Sequence, residues 1–165
     1  MTPRVDFVAT SPLWRGALPA RSLARETIAV AAAESGVALA PGAELCIHLA
    51  DDEHVRALNA RWRGLDKPTN VLSFPAAAPA EIAKARLIGD VVLAFETLAR
   101  EAAEEGKPLP DHYRHLVVHG FLHLIGFDHD DEAEAERMEA LETRILARLG
   151  VADPYRADET ADVHP

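Results

Sequence analysis

The sequence contains a single cysteine, Cys46, among its 165 residues. One cysteine excludes an internal disulfide framework and a thiolate-rich zinc knuckle, and it favours a reducing compartment such as the cytoplasm. The stretch up to Trp14 has no basic head followed by an apolar run, and no segment approaches the roughly 18 uncharged apolar residues of a membrane span. We therefore expect a cytoplasmic protein that does not contact a membrane.

The sequence also lacks an overall excess of basic residues, since its net charge is −10. Most of the negative charge lies in residues 128–165, which carry 12 acidic and 4 basic side chains, whereas residues 55–86 carry 6 basic and 2 acidic ones. Non-specific binding to duplex nucleic acid depends on many phosphate contacts, so a bulk positive field is excluded as its source. A nucleic-acid partner would have to meet a local basic rim, for which the candidates are Arg61, Lys67, Lys84 and Arg86.

The chain length favours one domain, and the hydrophobic periodicities predict an α+β fold with about four strands and about five helices. We expect this domain to span residues 1–150 and to be followed by a polar, flexible tail over residues 151–165. Residues 75–86 are rich in alanine, contain two prolines and show no clean period, which predicts a mobile surface loop. The patterns predict strands at 4–9, 44–50, 69–74 and 88–94, and helices at 22–35, 51–63, 96–105, 112–125 and 131–149.

Five of the eight histidines lie within residues 112–129. His119 and His123 are four residues apart, so on a helix their rings project about 40° apart and both can reach one ion. His129 would lie on the far side of the helix if the helix continued. Gly126 can adopt a left-handed conformation that ends the helix and returns His129 toward the other two rings.

The pattern therefore predicts one divalent ion held by His119, His123 and His129. Three neutral imidazoles leave the full positive charge on the ion and keep a fourth position open, which is typical of a catalytic site. Zinc is the preferred ion, one per chain, although nickel, cobalt and copper also accept imidazoles. His115 is a weaker candidate because about 12 Å of helix rise separates it from His123. The remaining histidines before position 129 have no partner at ligand spacing and are predicted to be ordinary surface or core residues: His48, His54 and His112.

The spacing of the three histidines and Gly126 also occurs in the metzincin peptidases, where a glutamate follows the first histidine. That glutamate is the general base of peptide hydrolysis, and here the position holds Gly120. A phosphodiester needs such a base less, because an exposed cation attracts the anionic substrate and stabilises its added charge. The motif therefore favours phosphoryl chemistry, with a zinc-dependent peptidase or amidase as the alternative.

The run from His119 to His129, HGFLHLIGFDH, resembles the signature of the YbeY family, bacterial metal-dependent endoribonucleases that mature ribosomal RNA. Two further blocks resemble that family in the same order. The first comprises Leu58-Asn59, Arg63-Gly64 and the run KPTNVLSFP at 67–75, and the second is GDVV at 89–92. The resemblance covers roughly residues 40–147, with Trp62 at a position where a tyrosine is usual.

The resemblance implies a small mixed sheet, a zinc ion held by the three histidines, and single-strand-specific RNA cleavage. The implied role is maturation of small-subunit ribosomal RNA at its 3′ end, in ribosome biogenesis or quality control. The implied partners are ribosomal RNA and the ribosome or small-subunit ribosomal proteins. A non-catalytic ribosome-assembly factor with a structural metal remains a second alternative.

The resemblance also implies a catalytic or substrate-binding role for Arg63. A guanidinium offers planar, bidentate donors to phosphate oxygens, whereas the residues alone equally describe a solvated arginine at a helix end. Asp128 is expected either to orient a ligand or accept a proton, or to cap the following helix. Ser73 is expected to bond its own backbone or to donate to a phosphate.

Overall fold

The computed structural model describes residues 2–155, which form a four-stranded sheet, five α-helices and two short 3₁₀ helices. This confirms the predicted α+β fold. The 3₁₀ helices are Pro12–Trp14 and Pro79–Lys84. The strands are β1 (Arg4–Ala9), β2 (Glu44–Ala50), β3 (Val71–Pro75) and β4 (Leu87–Ala94), and the helices are α1 (Ala20–Ser35), α2 (Asp52–Arg63), α3 (Phe95–Glu105), α4 (Leu109–Leu124) and α5 (Glu132–Arg148).

The sheet is mixed and has the strand order β1-β2-β4-β3. β1 and β4 run parallel to β2 on either side of it, and β3 pairs antiparallel with β4 at the edge. Side chains alternate between the two faces of a strand, so Leu45, Ile47 and Leu49 are buried on one face of β2 while Cys46 and His48 lie on the other. The sheet thus separates a large core from a thinner layer.

The large core lies between the sheet and helices α1, α4 and α5, while α2 covers part of the opposite face. α4 is the central helix: it contacts α1, α3, α5 and strands β3 and β4. Tyr113 and Phe121 of α4 are fully buried, and the Tyr113 hydroxyl donates to the Ala20 carbonyl at 2.8 Å. This packing fixes the position and rotation of α4.

Most element ends lie within two residues of the predicted ones, and the structure differs more from the prediction at two places. α4 begins at Leu109 rather than at 112, because Pro110 occupies the first turn, where proline costs no helical hydrogen bond. The predicted surface loop at 75–86 contains the 3₁₀ helix Pro79–Lys84, and Ile82 in it is 5% exposed. A single apolar anchor produces no period, so the sequence pattern does not reveal this packed segment.

The chain also packs beyond the end of α5. Val151 is buried, and Tyr155 contacts Glu142 of α5 through its hydroxyl group. Residues 156–165 of the expected tail lie outside the described residues, and the boundary at 150 stays a prediction. None of the helices described for residues 2–155 is both long and apolar enough to cross a membrane.

Candidate metal centre

The three predicted ligands converge in the structure. The ring centroids of His119 and His123 are 4.6 Å apart, those of His123 and His129 are 4.9 Å apart, and those of His119 and His129 are 5.6 Å apart. One nitrogen from each ring lies within 4.8 Å of the others. His119 and His123 are half-buried, and the side chain of His129 is 54% exposed.

The turn that returns His129 forms a Schellman motif at the end of α4. The Phe127 amide donates to the Leu122 carbonyl at 3.0 Å, and the Gly126 amide donates to the His123 carbonyl at 3.3 Å. This pairing satisfies the last carbonyl groups of the helix and requires a left-handed residue, which is Gly126 with φ +106°. The predicted reason for the glycine is therefore confirmed.

A buried carboxylate supports the first ligand. Glu142 of α5 is 0% exposed, and its Oε1 lies 2.7 Å from Nδ1 of His119. Because a carboxylate accepts, Nδ1 of His119 carries the proton and Nε2 keeps its lone pair for an ion. The other oxygen of Glu142 accepts from the Tyr155 hydroxyl and lies 3.8 Å from Nε2 of His115.

Glu142 remains ionised despite its burial. Burial raises the pKa of a carboxyl group, but the neighbouring imidazoles of His115 and His119 outweigh this effect and lower the pKa of Glu142 to about 2. Burial, followed by the proximity of His119 and His129, lowers the pKa of His123. Both shifts favour the protonation states that metal binding needs, which are a carboxylate behind His119 and a neutral imidazole at His123.

The donor set fits a tetrahedral divalent ion. Nε2 of His119 and Nε2 of His123 are 3.1 Å apart. Two nitrogens bound to one zinc at 2.0–2.1 Å in tetrahedral geometry lie about 3.3 Å from each other. Among the described residues, no cysteine or carboxylate joins this group of donors. The site therefore offers three nitrogens and leaves room for a fourth ligand that is not supplied by the described chain.

The sequence analysis missed Glu142, although a signal for it exists. Glu142 lies four residues after Met138 and three before Ile145, and both are buried on the stripe of α5 that faces α4. A glutamate on an apolar stripe must be paired, since an unpaired buried charge is very costly. That pattern indicates a partner inside the fold and so points to a histidine of α4.

Replacing Glu142 by glutamine is expected to weaken zinc binding about 10-fold. The amide still accepts from His119 but loses the charge that makes the imidazole a stronger ligand, and such supporting groups are worth about 10- to 100-fold in affinity. Titration of the metal-free protein with zinc against a competing chelator measures the change. Glu136→Gln, on an exposed position of the same helix, is the matched control. Equal zinc affinity of Glu142→Gln and the parent protein would contradict this role.

Gly120 brings α4 unusually close to the sheet. A Cβ atom at this position would lie 2.7 Å from Cγ1 of Val91 and 3.3 Å from Oγ of Ser73. Position 120 therefore faces β3 and β4 rather than the three imidazoles. The absence of the metzincin glutamate thus has a packing reason, because its side chain would enter the sheet contact.

Gly120→Ala is expected to destabilise the fold by about 1–3 kcal/mol, since the added methyl overpacks a contact with a stiff β-branched side chain. Denaturation by urea measures the free energy of unfolding. In the double variant Gly120→Ala/Val91→Ala, the total loss should be smaller than the sum of the two single losses, because the second change removes the clashing methyl groups. Additive losses would contradict the steric explanation.

The three histidines line a cleft of about 730 Å³. Arg63, the last residue of α2, lines the same cleft together with Trp62 and strand β3. Asn59 positions the end of α2, because its side-chain amide donates to the Lys67 carbonyl at 2.8 Å and holds the turn after α2. The structure therefore brings Arg63 and the three histidines into one cleft.

Of the basic residues at 55–86, Arg63 is the one that lines the cleft in the described part of the chain. Arg56 is paired with Glu53 and Asp66 and so does not contribute free charge. Within residues 2–155, the other basic residues of the segment 55–86 have no carboxylate within ion-pair distance: Arg61, Arg63, Lys67, Lys84 and Arg86.

The structure overturns one alternative for each of Asp128 and Ser73. Asp128 does not cap α5: Asp131 does, by accepting from the Glu134 amide at 2.8 Å. Asp128 instead accepts from the amide of His129 at 2.7 Å, and this bond, with the side chain of Asp130, lowers the pKa of Asp128. Ser73 does not bond its own backbone, since its hydroxyl donates to the Gly120 carbonyl at 3.0 Å. A role of Asp128 beside the ligands and a contact of Ser73 with a phosphate stay predictions.

Two of the other histidines, His48 and His112, have separate partners. His112 is buried and lies 2.9 Å from Oε1 of Glu101, and His48 lies 2.9 Å from Oδ1 of Asp90. Cys46 joins His48 and Asp90 in a second group of close donor atoms on the α2 side of the sheet. Burial, together with the nearby carboxylates, raises the pKa of Cys46, which favours the neutral thiol.

Comparison with known proteins supports the resemblance found in the sequence. The family model described as endoribonuclease YbeY matches residues 17–150. A protein named endoribonuclease YbeY from Rhodopseudomonas palustris (strain BisA53) is 50% identical over 163 residues, which cover 97% of this chain and 94% of that protein. One of the same name from Bradyrhizobium sp. (strain BTAi1) is 49% identical, with 97% and 96% covered.

A solved structure shares the fold. The solution structure of TM1509 from Thermotoga maritima superposes with a TM-score of 0.56 and 19% sequence identity, covering 98% of this chain and 97% of the other. At this identity the similarity concerns the fold alone.

Proposed function

The chain belongs to the YbeY family of endoribonucleases, and on that premise we propose that it cleaves single-stranded ribosomal RNA with the help of one zinc ion. The proposed ligands are His119, His123 and His129, and the proposed setting is the cytoplasm, where the enzyme matures the 3′ end of small-subunit ribosomal RNA. The partners in this proposal are ribosomal RNA and the ribosome or its small-subunit proteins.

The observation that carries the proposal is that the three imidazoles and Arg63 line one cleft. A bound divalent ion would supply Lewis-acid stabilisation of phosphate oxygens and a source of hydroxide at neutral pH. Arg63 binds the phosphate within the same cleft, where its planar guanidinium can contact two oxygens and stabilise charge that develops during cleavage. Glu142 holds the proton on Nδ1 of His119 and so keeps that ring in its binding orientation.

The peptidase alternative finds no support in the cleft. Its general base would follow His119, and that position is Gly120, packed against Val91. Among residues 2–155, Asp128 is the one carboxylate on the lining of this cleft. The proposal therefore favours a substrate that brings its own negative charge.

The proposed function is tested by offering the zinc-loaded protein a single-stranded RNA, the same RNA in a duplex, a small-subunit ribosomal RNA precursor and a peptide. We expect cleavage of the single strand and the precursor, slow cleavage of the duplex and none of the peptide. Hydrolysis of the peptide without cleavage of RNA would favour the peptidase alternative. Inactivity on every substrate, with the fold intact, would favour the assembly factor.

Removal of the metal by a chelator is expected to abolish RNA cleavage while leaving a cooperatively folded protein. The protein has a large hydrophobic core that can hold the fold together without the ion, so we expect the melting temperature to fall only by the amount that metal binding contributes. Circular dichroism during thermal unfolding measures this. Loss of cooperative unfolding in the chelated protein would indicate a structural metal.

A further inference from the structure

The last turn of α2 exposes a tryptophan beside the cleft. The helical period predicts a buried stripe through Val55, Leu58, Asn59 and Trp62, and the structure buries Val55 and Asn59 but leaves Trp62 62% exposed. Tryptophan is highly buried on average, because its large ring gains most from leaving water. The exposed indole of Trp62 is therefore a candidate contact for a bound molecule.

The position of Trp62 connects two depressions. Trp62 and Phe74 line the cleft that contains the three histidines, and both also line a neighbouring hollow of about 390 Å³ on the α2 side of the sheet. Their ring centroids are 6.5 Å apart, with the planes inclined by 66°. A chain that leaves the metal centre in this direction must cross the aromatic pair.

The neighbouring charges indicate what kind of chain this is. Trp62 lies between Arg61 and Arg63, and the Arg61 guanidinium is 5.2 Å from the centre of the indole ring. Grooves for single-stranded nucleic acids combine these two features, since arginines contact the phosphates and aromatic rings stack the bases. The carboxylate in the hollow, Asp90, is paired with His48, so the aromatic pair is not set in an acidic surface.

We propose that Trp62 stacks an unpaired base next to the phosphate held in the cleft, with Phe74 supporting the indole and the hollow receiving the base. This inference rests on the proposed function, and it gives the preference for single strands a physical origin. A base inside a duplex is stacked on both faces and cannot offer its ring to Trp62, whereas a base in a single strand can turn out.

The intrinsic fluorescence of the protein reports directly on this contact. The chain has two tryptophans, and Trp14 is 4% exposed in the core, so a bound base can reach Trp62 but not Trp14. We expect a short single-stranded RNA to quench the fluorescence of the metal-free protein, which binds but does not cleave. Trp62→Phe should remove most of the quenching while retaining most of the affinity, because phenylalanine also stacks.

The affinity and kinetics of Trp62→Ala separate stacking from other roles. Loss of one stacked base is expected to weaken binding of the single strand about 10-fold or more. In the zinc-loaded enzyme KM should rise by a similar factor, while kcat changes by less than about 2-fold because the phosphate contacts remain. RNAs that each lack the base at one position locate the stacked base. The RNA that lacks the stacked base should bind the parent protein and Trp62→Ala with equal affinity. Leu13→Ala removes another exposed apolar side chain, 45% exposed and outside both depressions, and serves as the control.

Three results would overturn the inference. The first is equal RNA affinity of the parent and Trp62→Ala, which would mean that the exposed indole contacts a protein rather than RNA. The second is an equal loss of affinity in Trp62→Ala for every RNA, whichever base is missing, since a stacking role depends on one particular base. The third is a parent protein that does not bind RNA at all. A failure of the proposed function gives a different result: the RNA binds and quenches the fluorescence but is never cleaved.

Discussion

His123→Ala is expected to lose zinc binding by more than about 100-fold and RNA cleavage by about 10³-fold or more. Groups that only support a ligand are worth 10- to 100-fold in metal affinity, so removal of a ligand itself must cost more. His123 is the middle of the three rings, within 4.9 Å of His129 and 4.6 Å of His119 between ring centroids. The lost charge stabilisation of several kcal/mol accounts for the loss of rate.

Competition titration with a chelator measures the zinc affinity, and single-turnover cleavage measures the rate. Glu136→Ala is the control, because Glu136 is exposed on α5 and lines neither the cleft nor the neighbouring hollow. The unfolding temperatures of the two metal-free variants should be close to that of the metal-free parent. Zinc binding by His123→Ala with the parent's affinity would contradict the proposed ligand set.

Arg63→Ala is expected to lower kcat for RNA cleavage by about 10²- to 10³-fold, which is the usual cost of removing one donor that stabilises transition-state charge. Zinc affinity should not change, since the group of donor atoms that could hold the ion consists of His119, His123 and His129 and does not include Arg63. Arg63→Lys should fall between the parent and Arg63→Ala, because an ammonium keeps the charge but not the bidentate fork. The two variants therefore separate the contribution of charge from that of geometry.

Arg100→Ala removes the same charge from an exposed position on α3 outside the cleft, and it is the control for net charge. Steady-state kinetics at several salt concentrations distinguish a local contact from a general electrostatic effect. If Arg63→Ala cleaves RNA at the parent's rate, or if Arg100→Ala loses as much activity, the catalytic assignment of Arg63 is wrong.

Local patterns are sufficient to predict most of the elements of this fold. β1 and β2 have the predicted bounds, and α1, α2 and α3 end at residues followed by glycines with φ between +66° and +70°. Alternation, helical period and glycine stops are properties of neighbouring residues. The packed segment Pro79–Lys84 was not predicted because its position depends on Ile82 meeting a core that forms from distant parts of the chain.

The candidate site likewise has parts that follow from neighbouring residues and parts that depend on distant segments of the chain. The convergence of the three histidines follows from a helical spacing and a glycine turn, and both are readable from eleven consecutive residues. Glu142 lies 23 residues from His119 along the chain, and only the packing of α5 on α4 joins them. The exposure of Trp62 has a similar origin, since the helical period places it on the apolar stripe, whereas its burial depends on which distant parts of the chain pack over it.

The proposed function requires that three imidazole nitrogens bind one ion in the cleft. Anomalous X-ray scattering at the zinc edge from crystals of the zinc-loaded protein tests it most directly. We predict one peak per chain, about 2.0–2.1 Å from one nitrogen each of His119, His123 and His129, with no fourth protein ligand. A peak among Cys46, His48 and Asp90 with none at the three histidines, or a side chain filling the fourth position, would contradict the account.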